Sequence, residues 1–169
     1  MQNNVNITNL SAIFRHDFAI IAGWVGFGSK VLDLGCGDGT LLTYLRDSLE
    51  AKGYGVEKDD VNWLTCQQSG INVIQMDLED GLSGFENQSF DTVVLSQTLQ
   101  AMHHTEEIVH EMLRVGREVI VTFPNFGYWR NRGQILTGNM PVSKTLPYQW
   151  YDTPNVHLCT INDFDKFCK

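Results

Sequence analysis

The sequence predicts an α/β fold, a mostly parallel β-sheet with helices on both faces. Three observations predict it. Over the first two-thirds of the 169 residues, short apolar runs alternate with stretches of helical periodicity, the pattern of βαβ units. The first apolar run leads into VLDLGCGDG, residues 31–39, where glycines fall on alternate positions. Acidic residues then stand at the ends of the next strands, Glu57 and Asp77, where open parallel sheets hold their ligands.

The elements follow in order. A first strand covers about 30–35, carrying Val31, Leu32 and Leu34. A helix runs over about 39–50, because Leu41, Leu42, Leu45 and Leu49 share one face at helical spacing. Gly53 interrupts that pattern and a short second strand reaches Glu57. Asp59 and Asp60 are caps for a helix through about 69, which Gly70 ends. INVIQM is a third strand, running into the acidic stretch Asp77 to Asp80, and FDTVVLS, 90–96, is a fourth. Thr105 is expected to cap the next helix, with Glu106 and Glu107 favouring its dipole and Arg114 and Gly116 closing it. EVIVTF is a fifth strand that stops at Pro124. Thr160 with Asp163 reads as a capping pair for a last helix.

Residues 1–29 read as an N-terminal helical segment, and 1–169 as a single domain. Such a sheet would leave its fifth strand near an edge. Parallel strands are normally covered and edges protected, so further C-terminal strands are expected to be missing from this chain.

After residue 123 the character changes. All four prolines lie there, with six aromatics between Phe126 and Tyr151. From 119 to 151 there is no acid, while Arg130, Arg132 and Lys144 are present. The stretch 124–159 is thus an aromatic, basic insert in a chain of net charge −8. It reads as a loop over the strand ends, a substrate lid or a protein-docking surface, the last because Trp, Tyr and Arg are enriched at interface hot spots.

A net charge of −8 argues against nucleic acid as the main partner. The N-terminus lacks the charged start and apolar run of a signal peptide, and no apolar stretch is long enough to span a bilayer, so no membrane association and a cytoplasmic location are expected. Cys36, Cys66, Cys159 and Cys168 form no CxxC pair and are expected to be reduced thiols.

The glycine string poses the choice of ligand. Glu57 stands 22 residues after Gly35, a spacing that suits a carboxylate accepting hydrogen bonds from both hydroxyls of a ribose. The dinucleotide fingerprint is GxGxxG, but here the third glycine, Gly39, comes one position early. Asp33 and Asp38 also flank the loop, and a pyrophosphate with about two negative charges would meet them unfavourably. S-adenosylmethionine (SAM), with a sulfonium, an ammonium and one carboxylate, suits an acidic glycine loop better.

At this point VLDLGCGDG resembles motif I of the class I SAM-dependent methyltransferases, a Rossmann-like fold. The resemblance implies that Asp33, Gly35, Gly37 and Gly39 surround the methionine part and that Glu57 holds the ribose. Asp77 and Leu78 would meet the adenine, and Ser96 and Gln97 would lie beneath the methyl group. Cys36 and Lys58 complete the expected cofactor-binding set. The segments VGREVIVTFPNFGYWRNR and MPVSKTLPYQWYDTPNVHLCT further resemble the MetW family of methionine biosynthesis, from about Arg15 to Phe167. That resemblance implies a protein binding SAM or S-adenosylhomocysteine (SAH) and acting beside a homoserine O-acyltransferase. It leaves open whether the chain is itself an enzyme.

Methyl transfer needs an aligned acceptor and sometimes a base. The segment after the fourth strand reads Ser96-Gln97-Thr98-Leu99, without the Asn/Asp-Pro-Pro-aromatic string of amino-group methyltransferases. His103, His104, Tyr128, Asp152 and His157 are candidate bases, each as readily a surface or loop residue, so no catalytic residue is assigned. No GxSxG nucleophile elbow occurs, so any part in acyl transfer would be that of a partner. His157 with Cys159, and His103 with His104, fall short of a metal ligand set. An active SAM-dependent methyltransferase on a small-molecule acceptor is the alternative; a dinucleotide-dependent oxidoreductase is a third reading.

Overall fold

A computed structural model of the chain describes residues 17–143 and 145–169. Residues 1–16 of the expected N-terminal segment, and Lys144 of the insert, lie outside the described residues.

Five strands form one parallel sheet: β1 (Lys30–Leu34), β2 (Lys52–Glu57), β3 (Asn72–Gln75), β4 (Phe90–Ser96) and β5 (Gly116–Thr122). Their order is β3-β2-β1-β4-β5. The chain winds outward one way from β1 to β3, then returns to pair β4 with the other side of β1. The reversal lies between β1 and β4, and a crevice opens at the carboxyl ends of such a pair.

Successive strand residues point to opposite faces, so each face has its own core. On one face Val31 and Val94 pack with Leu41, Leu42 and Leu45 of α1 (Thr40–Leu49), Cys66 of α2 (Asp60–Gln68), and Phe18 and Ile21. Residues 17–22 are helical, as expected for that part of the N-terminal segment. On the other face Leu32, Leu34, Val93 and Leu95 pack with Ile108, Met112 and Val115 of α3 (Thr105–Val115). Helices therefore cover both faces. Each fully buried Leu or Val contributes roughly 1.5–3 kcal/mol.

The local readings meet the structure in detail. Gly39 precedes α1 in the left-handed region at φ 77°, and Asp59 caps α2 by accepting the N–H groups of Val61 and Asn62. Thr160 and Asp163 form the expected capping box of α5 (Ile161–Phe167). Two readings are corrected. Thr105 is the first residue of α3 and not its cap; His104 is the capping residue and makes no side-chain cap bond, while Glu79 takes the N–H groups of His103 and His104 just before the helix.

Gly116 closes α3 as expected, its N–H donating to the carbonyl of Met112, and the same residue opens β5 without an intervening loop. A Cβ there would lie 2.6 Å from Val93, so only glycine lets the chain enter the sheet at that point. The second correction concerns the insert, where Trp129–Leu136 is not loop but a helix, α4. Arg114 ties the end of α3 to the preceding connection by donating to the carbonyls of Leu82 and Phe85, while Glu111 holds the guanidinium at 2.7 Å. Among the described residues no helix is long and apolar enough to cross a membrane.

Candidate cofactor-binding site

The turn after β1 is held by backbone bonds that fix its shape before any ligand arrives. The N–H groups of Gly35 and Cys36 both donate to the carbonyl of Val56, at 2.8 and 3.1 Å. Gly35, Gly37 and Gly39 all lie in the left-handed region, at φ 71°, 55° and 77°. A Cβ at Gly39 would press on Cys66 Sγ at 3.0 Å and one at Gly35 on Thr98 at 2.9 Å, whereas one at Gly37 would meet no atom within 4 Å. Gly35 and Gly39 are therefore packing glycines. Gly37 faces open space, the condition for a backbone that a ligand approaches closely.

Glu57 closes the other side of the turn. Its Oε2 accepts the N–H of Gly37 at 2.8 Å, and its Oε1 those of Lys58 and Asp59 at 2.9 and 2.8 Å. The carboxylate thus bridges the glycine turn to the β2–α2 turn, a role that its position at a strand end does not reveal. Carboxylate oxygens offer about four lone-pair sites, so three N–H bonds leave room for one more donor.

Asp33, in the strand that enters the turn, is 2% exposed, with Oδ1 fully buried and without a hydrogen-bond partner. Burial, with the nearby negative charge of Glu57, pushes its carboxyl up from 3.8 to about 7. An unpartnered buried carboxylate is costly, and the cost falls when a cation or a donor comes within reach.

Gly35, Glu57, Lys58, Asp77 and Leu78 line a cavity of about 200 Å³ beside this turn. Asp77 accepts the N–H of Glu79 through Oδ1, and its Oδ2 lies 3.5 Å from Lys58 Nζ. Five of the ten expected site residues thus meet at one cavity. Asp33 at the end of β1, and Gly37 and Gly39 of the turn, stand beside it without lining it.

Two residues point elsewhere. Cys36 is buried 3.8 Å from Cys66 Sγ, under the turn. Burial raises both thiols above their ordinary range. The hydroxyl of Ser96 pairs with Thr122 Oγ1 across β4 and β5 at 3.1 Å. The far wall is instead Thr98, Ala101 and Met102. Sequence reasoning missed these three, since nothing local marks a short 3₁₀ turn, Leu99–Ala101, as a cavity wall.

The candidate bases are dispersed. His103, His104 and His157 line a separate cavity of about 530 Å³, and His104 Nδ1 lies 2.8 Å from Glu79 Oε2. Tyr128 lines another of about 490 Å³, with Gln97, Thr122 and Asn125. Asp152 is exposed and lines neither. Gln97 is held at φ 54° by N–H bonds to Thr122, a conformation costing a non-glycine residue about 1 kcal/mol or more.

The profile of the methionine biosynthesis protein MetW matches residues 15–169. A bifunctional methionine biosynthesis protein MetXA/MetW from Rhodopirellula baltica is 42% identical over 146 residues, 80% of this chain. The chain spans 23% of that relative's length. A SAM-dependent methyltransferase from Archaeoglobus fulgidus superposes with a TM-score of 0.63 at 16% identity, covering 79% of this chain and 63% of its own. The plantazolicin methyltransferase BpumL, solved with SAH, gives 0.62 at 20% identity, covering 81% and 52%. These two likenesses show a Rossmann-like methyltransferase fold.

Proposed function

The chain belongs to the MetW family of methionine biosynthesis proteins, and from that premise we propose that it binds SAM or SAH and acts beside a homoserine O-acyltransferase. One observation carries the cofactor reading: Asp33, in the strand that enters the glycine turn, is buried without a partner for Oδ1, and Gly37 of that turn has open space where a Cβ would stand. That arrangement suits a ligand with a cationic centre and repels a pyrophosphate. When bound, SAM supplies an electrophilic methyl group on a sulfonium.

The residues of the chain divide the holding. Gly37 allows close backbone approach, and Asp33 supplies a carboxyl in the strand that enters the turn. Glu57 keeps the turn in position and has room for one further donor. Asp77 and Leu78 offer a carboxylate edge and an apolar face to a base. The partner reading is supported by the relative named for both MetXA and MetW in one polypeptide. Because no GxSxG nucleophile is present, the acylation chemistry belongs to that partner.

Calorimetry with SAM, SAH and NAD tests the cofactor reading. SAM or SAH should bind and Asp33→Ala should weaken both; NAD binding in their place would overturn it. Co-expression with the acyltransferase of the same organism tests the partnership, which fails if the two neither co-purify nor alter one another's activity.

A second reading, methyl transfer to a small molecule, is favoured by strained Gln97 lining the 490 Å³ cavity. Strained backbone clusters at functional sites. Labelled SAM incubated with metabolite pools should then yield a labelled product, and turnover unaffected by Asp33→Ala would rule it out.

A further inference from the structure

Helix α4 is built inside out. Asn131 is 2% exposed and donates from Nδ2 to the carbonyl of Asn125 at 3.2 Å. On the opposite side Trp129 is 66% exposed and Leu136 87% exposed. At 100° per residue, Trp129, Arg132, Gly133 and Leu136 fall on one face, and Asn131 lies about 160° from Trp129. A surface helix normally turns its apolar face inward. Here the amide is inside, and the largest apolar side chains are outside.

The outward face has the composition of a binding surface. The Arg130 guanidinium stands 5.2 Å from the Trp129 ring centroid, a cation–π contact that orders the indole before docking. Gly133 sits between Trp129 and Leu136, and a Cβ there would meet no atom within 4 Å. The face therefore carries two apolar knobs with a notch between them. Mid-helix glycine costs roughly 1 kcal/mol against alanine, so its presence calls for a reason outside the helix itself.

We infer that this face of α4, Trp129–Arg132–Gly133–Leu136, is the surface through which the chain docks on its homoserine O-acyltransferase partner, against an acidic, apolar patch. The inference rests on the partnership proposed above and names its location. The relative named for both MetXA and MetW in one polypeptide favours this occupant. Residues 119–151 hold no acid in a chain of net charge −8, so the face attracts an acidic surface while the rest of the chain repels one. The profile match runs through the insert, which is therefore shared with the family that includes the MetXA/MetW relative.

The test uses the whole chain and the purified acyltransferase, with binding read by interferometry at two salt concentrations. Trp129→Ala should weaken binding about 30-fold or more, as a hot-spot truncation does. The double variant Arg130→Glu with Arg132→Glu should lower the association rate and its salt dependence. Gly133→Gln fills the notch while improving helix propensity, so it should raise Tm yet weaken binding at least tenfold. All variants should still bind SAH like the wild type.

If the wild type binds and Trp129→Ala and Gly133→Gln bind equally well, the surface is wrong and the partnership stands. If the wild type does not bind the acyltransferase, partnership and surface both fall. If the wild type instead self-associates and these variants abolish it, the occupant is a second copy and the inference is overturned.

Discussion

Replacing Asp33 by Asn removes an ionisation while keeping the side-chain shape. The carboxyl is raised from 3.8 to about 7, about three pH units, because burial penalises its charge and Glu57 adds like charge. At 1.36 kcal/mol per unit the shift is worth about 4 kcal/mol. The sign follows from proton counting. Between pH 4 and 7 the folded protein holds a proton that the unfolded chain has lost. Stability from this group is complete below pH 4, falls as pH rises, and is gone above about 7. Glu79, Glu111 and Asp163 run the other way, their carboxyls lowered by hydrogen bonds to His103, Arg114 and Thr160 respectively. They are present in both proteins, so they cancel in the difference. Urea unfolding from pH 5 to 8.5 should show wild type losing about 1.4 kcal/mol per pH unit relative to Asp33→Asn up to pH 7, then running parallel to it. Comparing slopes removes any fixed cost of burying the amide. Parallel curves throughout would refute the reasoning, since they would mean that Asp33 ionises as freely as in the unfolded chain.

Gly39 and Gly37 of the turn should separate by role. Gly39→Ala should destabilise by about 2 kcal/mol or more, from its positive φ and its 3.0 Å approach to Cys66 Sγ, with reduced Tm as the readout. Gly37→Ala should cost only the conformational strain, about 1–2 kcal/mol, yet weaken SAH binding measured by calorimetry at least tenfold. In a thiol-labelling time course at pH 8, exposed Cys168 should react first, with Cys36 and Cys66 reacting only on unfolding, because burial raises both thiols. Glu79→Gln should leave the N–H groups before α3 with one weaker acceptor and lower stability by about 1 kcal/mol at neutral pH, the gap closing in acid, read by thermal melts across pH.

Much of the sheet was legible because its signals are local. Leu41, Leu42 and Leu45 mark α1 by their spacing, and Asp59 and Thr160 mark helix starts by their side-chain oxygens. The carboxylate that holds the backbone just before α3 was not legible, because Glu79 is 25 or so residues away in sequence and adjacent only in the folded chain. Helix α4 was hidden for a related reason. Its amide-in, tryptophan-out pattern opposes the rule by which periodicity is read, and Asn131 is inside because the carbonyl of Asn125 is there to meet it.

The candidate site divides along the same line. That Asp33 leads into a turn of Gly35, Gly37 and Gly39, and that Glu57 and Asp77 end strands, follows from spacing along a single chain. Sequence alone therefore determined a glycine turn at the end of the first strand and acidic residues at the ends of the next two. Only the tertiary structure decided that Glu57 bridges two turns through three N–H groups, and that Ser96 faces β5 while Thr98 walls the cavity. It also decided that Asp33 is left without a partner for Oδ1. Hydrogen-bond satisfaction and burial depend on which atoms arrive from other elements, and spacing along one strand carries no record of that.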